Sequence, residues 1–375
     1  HDDLTYSDSL SFDVSAMESS NQLSQCSFAT TDTAGMFENL QGRDAAKQLK
    51  VIAGLGQQEQ WLIPENQITT SNTPLGRGGF AAIFKGHYCD TLPVAVKMFR
   101  GPSSPGASID RTCINELRFL RRMRHPNIVT FLGASMHRRS GELMLVLEMV
   151  GGKTLYHWVR GQRRAEDEAA QSAEDEAAQA AVQGILQALT YLHSRKPSVV
   201  HADLKDTNVM VETRSGRPFA KLLDFGLTRA VTHNSSLLMK EVRLRMNRER
   251  RRIKKTPGVC ISSFLAPEVG DGYSVGDAYR PDPAVDMFAL GRLLCYVGTL
   301  GRQVELPYFE SSRNPSSEFL QRWRGNIELC TMEDPKARPS SKQVYLSQTW
   351  KTEEAEREPE QLQQDSHMQL EQLSL

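Results

Sequence analysis

Two short polar strings wedged between apolar runs constrain this chain more than anything else in it. Residues 199–211 read "VVHADLKDTNVMV" and residues 221–229 read "KLLDFGLTR". Burying the flanking runs brings Asp203, Lys205, Asn208 and Asp224 to the ends of core strands, where charged groups survive only with a partner or a task. Asp203 is placed to accept a proton from an attacking hydroxyl. Lys205 is placed to neutralise charge on a transferred group. Asn208 and Asp224 offer an amide oxygen and a carboxylate, hard donors that suit Mg²⁺ or Mn²⁺ with bound phosphate. Each string alone is common by chance, and only their order and spacing carry weight.

Upstream the chain supplies matching parts. "LGRGGFAAIFKG", residues 75–86, sets Leu75 before Gly76 and Gly78 and ends its motif on Ile83. Glycines let a backbone approach phosphates closely and aim N–H groups at them. Ala81 stands where a third glycine is expected. An alanine forced to positive φ costs on the order of 1 kcal/mol, so a stiffened loop is the expectation. "VAVK" then ends an apolar strand on Lys97, and Glu116 on the following helical stretch is its expected ionic partner, 19 residues later.

Length and charge bound the rest. The chain has 375 residues with 39% apolar content, and Lys+Arg balances Asp+Glu at 45 each, so the net charge points to neither nucleic acid nor membrane. The six cysteines are scattered without metal or disulfide spacing, which reads as reduced thiols in an intracellular, cytoplasmic or nuclear protein. No apolar run reaches the roughly 18 residues of a membrane helix. "MFALGRLLCYVGTL", the best attempt, contains Arg292 and reads as a buried core helix. No secretory signal stands at the N-terminus, which is acidic and Ser-rich.

Residues 1–60 are Ser-, Asp- and Gln-rich and are expected to be mostly disordered, with a short helix near "GRDAAKQLKVIAGL". A folded domain is expected over 61–348, with a strand-rich part at 61–150 and a helical part at 151–348. "PVAVKMF" and "ELMLVLEMV" read as strands, and positions 114, 117 and 120 fall at helical spacing. Positions 182, 185, 186, 189 and 192 form one apolar helical face. Before it, residues 165–180 repeat "AEDEAAQ", an acidic block of strong helix formers expected to be a solvated insertion, with a partner surface as the alternative. Residues 349–375 form a Glu/Gln-rich tail.

Together these residues resemble the eukaryotic protein kinase domain, over about residues 68–348. The matching elements run from Gly76 and Gly78 through Lys97, Glu116, "HPNIV" at 125–129, His201/Asp203/Asn208 and Asp224-Phe225-Gly226. "APE" at 266–268, "DMFALG" at 286–291 and "DPKARPS" at 334–340 complete them. "RPS", "DLKDTN" and Trp61 are most similar to the tyrosine-kinase-like group of serine/threonine kinases. The resemblance implies a bilobal α+β fold, a small five-stranded antiparallel lobe with one helix on a larger helical lobe, with ATP between them. It implies Lys97, Glu116, Asp203 and Lys205 as catalytic and Asn208 and Asp224 as metal ligands. It also implies Leu75, Gly76, Gly78, Ile83, Ala95, Lys97, Leu147, Glu148 and Val150 around ATP, with Leu147 as gatekeeper and residues 148–150 as hinge. A protein Ser/Thr hydroxyl is the implied acceptor. Leu120, His201 and Phe225 would stack, Glu268 and Arg338 would pair, and Asp286 would tether the catalytic loop. Oligomeric state is left open.

Three departures set the alternatives. Ala202 replaces the arginine that captures an activating phosphate, the mark of a non-RD kinase. The segment from Asp224 to Glu268 is long and basic, with ten Lys/Arg against two Glu between 229 and 255. A solvated loop and a surface for acidic partners both account for it. "CISSF" at 260–264 lacks the hydroxyl expected at Ile261. An active kinase and a catalytically impaired pseudokinase scaffold are therefore the two readings.

Overall fold

The structure, a computed structural model, describes residues 45–78, 81–99, 111–137, 142–162, 168–231, 264–270, 282–301 and 318–348. Its small lobe is built on an antiparallel sheet in the order β1-β2-β3-β5-β4. The strands are β1 (Ile68–Arg77), β2 (Ala81–Tyr88), β3 (Leu92–Phe99), β4 (Phe131–Met136) and β5 (Leu143–Glu148). β3 and β5 lie inside the sheet, where β-branched and long apolar residues pack on both faces. The two-residue alternation of strands sorts their side chains. Val94, Val96, Met144 and Val146 pack with Ile63 on one face. Ala95 and Lys97 take the other, directly opposite Leu147 and Leu145 of β5, and Ile83 of β2 is the other neighbour of Lys97.

Two helices back this lobe. α1 (Ala45–Gln58) precedes the sheet and α2 (Arg111–Leu120) follows β3. Leu49, Ile52 and Leu55, spaced by three on α1, belong to the same continuous core as Trp61 and the α2 residues Cys113 and Leu117. Glu59, just past α1, accepts the Trp61 indole N–H at 2.8 Å and pairs with Arg121 just past α2. α1 thus packs into the core ahead of residue 61, where the sequence placed the start of the folded part. Residues 1–44 and the tail 349–375 lie outside the described residues.

The larger lobe is mainly helical. It comprises α3 (Leu155–Gly161), α4 (Glu168–Ser194), α5 (Pro267–Gly270), α6 (Ala284–Gly298), α7 (Glu318–Cys330) and α8 (Ser341–Ser347). Its strands are β6 (Gly152–Thr154), β7 (Val199–Val200), β8 (Val209–Arg214), β9 (Arg217–Leu222) and β10 (Arg229–Ala230), in the sheets β6-β8-β9 and β10-β7. Val182, Ile185, Leu186, Leu189 and Leu192 are buried along α4, as their spacing predicts. α6 is buried along nearly its whole length and carries the stretch that superficially resembled a membrane span. Among the described residues no helix is long and apolar enough to cross a membrane.

From Glu168 on, the acidic repeat is helical, as its strong helix formers imply, but it is not the solvated insertion expected. Its second copy is part of α4 and docks on α7: Asp175 accepts the Phe319 N–H at 3.2 Å, and Gln179 accepts the Trp323 indole N–H at 2.7 Å. Ala178 between them is buried. Residues 175 and 179 lie four apart and share a helix face. The second copy is thus a packed extension rather than a solvated insertion.

Candidate active site

Lys97 joins three segments of the chain. Its Nζ lies 2.7 and 2.6 Å from the two carboxylate oxygens of Glu116 on α2, and 3.3 Å from Asp224 Oδ1 beyond β9. Glu116 is 1% exposed. A carboxylate and an ammonium removed from water in this way need such pairing to stay charged. Asn115, next to Glu116, donates its Nδ2–H to the carbonyls of Phe225, Gly226 and Thr228 at 3.2, 2.9 and 2.8 Å. The helix that supplies the partner of Lys97 thus also grips the loop that follows Asp224.

The second cluster surrounds Asp203. Lys205 Nζ is 3.2 Å from Asp203 Oδ1, while Asn208 Nδ2 donates to Asp203 Oδ2 at 2.9 Å and to its carbonyl at 2.8 Å. Those bonds hold the carboxylate in one orientation and leave the Asn208 amide oxygen for another partner. The backbone brings the clusters together, since Leu223 N–H donates to the Asn208 carbonyl at 2.8 Å. His201 Nε2 meets the Leu223 carbonyl at 3.0 Å, fixing the residue just before Asp224.

Asp286 of α6 anchors this loop from below, accepting His201 N–H at 2.7 Å and Ala202 N–H at 2.8 Å. Ala202 and Asp224 both sit at positive φ, 63° and 57°. Aspartate enters that region readily, whereas alanine enters it at a cost that the Asp286 bond offsets. Ala81, by contrast, lies in extended backbone in β2, paired with Phe99. The strain expected at that missing glycine is absent.

The other residues named from the sequence take the following positions around this frame. Gly76 pairs with Ile83, and Gly78 N–H closes on the Ala81 carbonyl at 2.8 Å. Leu75 is 61% exposed on β1, and Leu147 is 8% exposed beneath the sheet. Glu148 ends β5, with Val150 half-buried beyond it. Leu120, His201 and Phe225 are fully buried, the latter two edge to face with centroids 5.0 Å apart. Arg338 clasps Glu268 at 2.6 and 2.8 Å. Ile261 and the basic segment 232–263 lie outside the described residues.

Sequence reasoning missed several positioning groups. Asn115 has no motif of its own. Asn127, inside "HPNIV", donates its Nδ2–H to the Ala220 carbonyl at 2.8 Å, and a side chain at Gly184 of α4 would collide with it, 2.6 Å away. Lys221 and Glu148 pair at 2.6 Å across 73 residues.

Among the described residues no three His, Cys, Asp or Glu side chains converge on one point. A cation here would be held by two protein oxygens, from Asn208 and Asp224. That donor set fits Mg²⁺, which keeps several waters and takes phosphate oxygens for the remainder.

A small antiparallel lobe carrying a Lys–Glu pair, above a helical lobe that presents Asp203, Asn208 and Asp224, defines a protein kinase. The chain belongs to that family: residues 69–351 match the protein kinase domain. It is similar to the probable serine/threonine-protein kinase kinX of Dictyostelium discoideum, 27% identical over 291 residues, covering 74% of this chain and 23% of kinX. It is 28% identical over 286 residues to the probable serine/threonine-protein kinase SIS8 of Arabidopsis thaliana, covering 73% of this chain and 24% of SIS8. Serine/threonine-protein kinase VIK, also of Arabidopsis thaliana, is 33% identical over 181 residues, covering 47% of this chain and 38% of VIK. The chain therefore spans well under half the length of these curated relatives. Its class is that of the protein kinases.

Proposed function

We propose that this chain is an active protein kinase that transfers the γ-phosphoryl group of ATP to serine or threonine hydroxyls of a protein. The observation that carries this reading is Lys97 bridging Glu116 and Asp224. Phosphoryl transfer relies mainly on positioning and charge stabilisation. Lys97, oriented by Glu116, holds the α- and β-phosphates. Asp203, fixed by Asn208 and Lys205, accepts the acceptor's hydroxyl proton, and the Lys205 ammonium beside it offsets charge on the group in flight. Asn208 and Asp224 hold a divalent ion, Mg²⁺ in preference to Mn²⁺, whose bound form neutralises phosphate charge. The exposed Leu75, with Ile83, Ala95 and Leu147, supports an apolar slot for the base. Glu148 to Val150, beside Ala95 and Leu147, supply the hinge backbone that hydrogen-bonds the base.

A second reading, a pseudokinase scaffold that binds nucleotide or partners without turnover, draws on Ile261 in "CISSF". Incubating the purified chain with Mg²⁺, labelled ATP and a general acceptor protein, beside Asp203→Asn, separates the two. Transfer by the parent chain alone supports the kinase. Nucleotide-induced thermal stabilisation without transfer from either protein supports the scaffold.

Ala202 supports a non-RD kinase, and "RPS", "DLKDTN", "HPNIV" and Trp61 support placement in the tyrosine-kinase-like group. An intracellular setting, cytoplasmic or nuclear, is supported by the scattered cysteine spacing and by the buried thiols of Cys295 and Cys330. Burial pushes Cys295 up to about 11 and Cys330 up to about 12, which keeps both thiols unreactive. Fractionation of cells expressing the tagged chain tests the setting, and recovery with secreted material would refute it.

A further inference from the structure

Three residues before Asp224, β9 carries a lysine that water barely reaches. The Lys221 side chain is 4% exposed, and its Nζ lies 2.6 Å from Glu148 Oε1. Glu148 is the last residue of β5, where the chain crosses from the small lobe to the large one. The same oxygen accepts the Thr130 N–H at 2.8 Å and its hydroxyl at 3.0 Å, and Glu148 N–H returns a bond to the Thr130 carbonyl at 3.0 Å. Residues 127–129 are in turn laced to β9. Leu222 N–H donates to the Asn127 carbonyl at 2.8 Å, and Val129 N–H donates to the Leu222 carbonyl at 3.0 Å.

The Glu148 side chain is 25% exposed, but Lys221 is nearly dry. An ion pair with one desolvated charge is a poor way to gain stability, because that desolvation offsets much of the attraction. An apolar pair would fill the same space at least as well. What the ion pair adds is direction: one carboxylate oxygen with three donors around it has a single satisfied arrangement. The charge is felt locally, since His125 is held below the usual imidazole range first by burial and then by Lys221.

We propose that Lys221 is a positioning residue for the nucleotide. By locking the Glu148 carboxylate, it fixes the spacing between the hinge and the strand that leads to Asp224. The base-holding and phosphate-holding ends of the cleft then meet one ligand at one separation. This inference rests on the nucleotide-binding reading above. Spacing of this kind is sensed equally in the ground and transition states, so its loss weakens binding far more than it slows the chemical step.

The test uses the full chain and two variants, Lys221→Met and Lys221→Met/Glu148→Gln. Each is measured for melting temperature, for Mg·ATP affinity by calorimetry with a non-hydrolysable analogue, and for kcat and KM. Lys221→Met is expected to lower the melting temperature and weaken nucleotide binding on the order of tenfold, with KM moving far more than kcat. The double variant removes both charges, so its melting temperature recovers while its affinity stays weak. Affinity that recovers together with melting temperature would mean the pair is merely structural and would overturn the proposal. Nucleotide affinity unchanged in both variants would also overturn it. Should Lys221→Met fail to fold, the double variant alone decides, by weak or normal binding at the parent melting temperature. A parent chain with no affinity for the analogue refutes the nucleotide reading itself, a result distinct from either of these.

Discussion

Ala202 donates its backbone N–H to Asp286 Oδ1 at 2.8 Å while holding φ at 63°, so a buried carboxylate 84 residues away keeps the catalytic loop in a left-handed turn. Asp286 Oδ2 also accepts His201 N–H at 2.7 Å and meets His193 Nε2 at 3.0 Å. Replacing it with alanine strands buried donors. Asp286→Ala is expected to lose about 3 kcal/mol or more of stability, read as a shift in the urea midpoint. Transfer activity should disappear with it.

Lys97 and Glu116 act as one unit, so their losses should not add. Lys97→Met and Glu116→Gln are each expected to lower kcat/KM by at least ~10²-fold, because misplacing a phosphate-holding group is costly. The double variant should be scarcely worse than either single one. A multiplicative loss in steady-state kinetics would show the two groups to be independent.

His125 gives the domain a defined response to acid. Its imidazole is held below the ordinary range by burial first and the Lys221 charge second, and its Nδ1 accepts the Asn127 N–H at 3.1 Å. The unfolded chain therefore takes up a proton that the folded chain resists. Stability is full above the ordinary imidazole range and falls as pH drops through it. His125→Asn should flatten the dependence of the urea midpoint on pH between about 5 and 7.

Ile52 tests whether α1 belongs to the domain. It is fully buried, so Ile52→Ala should cost about 2–5 kcal/mol in thermal or urea unfolding. A solvated segment would register within about 0.5 kcal/mol.

The residues proposed to meet phosphate, metal and proton were legible because their chemistry restricts residue type and their segments fix the spacing. Lys97, Glu116, Asp203, Asn208 and Asp224 could be named from short strings. The groups that hold them in place could not. Asn115 reaches carbonyls 110 to 113 residues away, and Glu148 meets Lys221 across 73 residues. Such contacts leave no periodic mark, since any polar residue at a half-buried position reads the same. The helical tendency of α1 was visible, but the polar composition of residues 1–60 concealed that Leu49, Ile52 and Leu55 form a buried face. At Ala81 a rule drawn from glycine loops misled, because β2 already begins there in extended backbone.

Asn115 and Glu116 are neighbours on one helix, and each holds a different partner. Glu116 fixes the lysine from the sheet, and Asn115 fixes three carbonyls past Asp224. A rotation or outward shift of α2 that lets go of one must strain the other. The site is thus wired as a single switch: one rigid rod throws both contacts together, and half-assembled states have little to stabilise them.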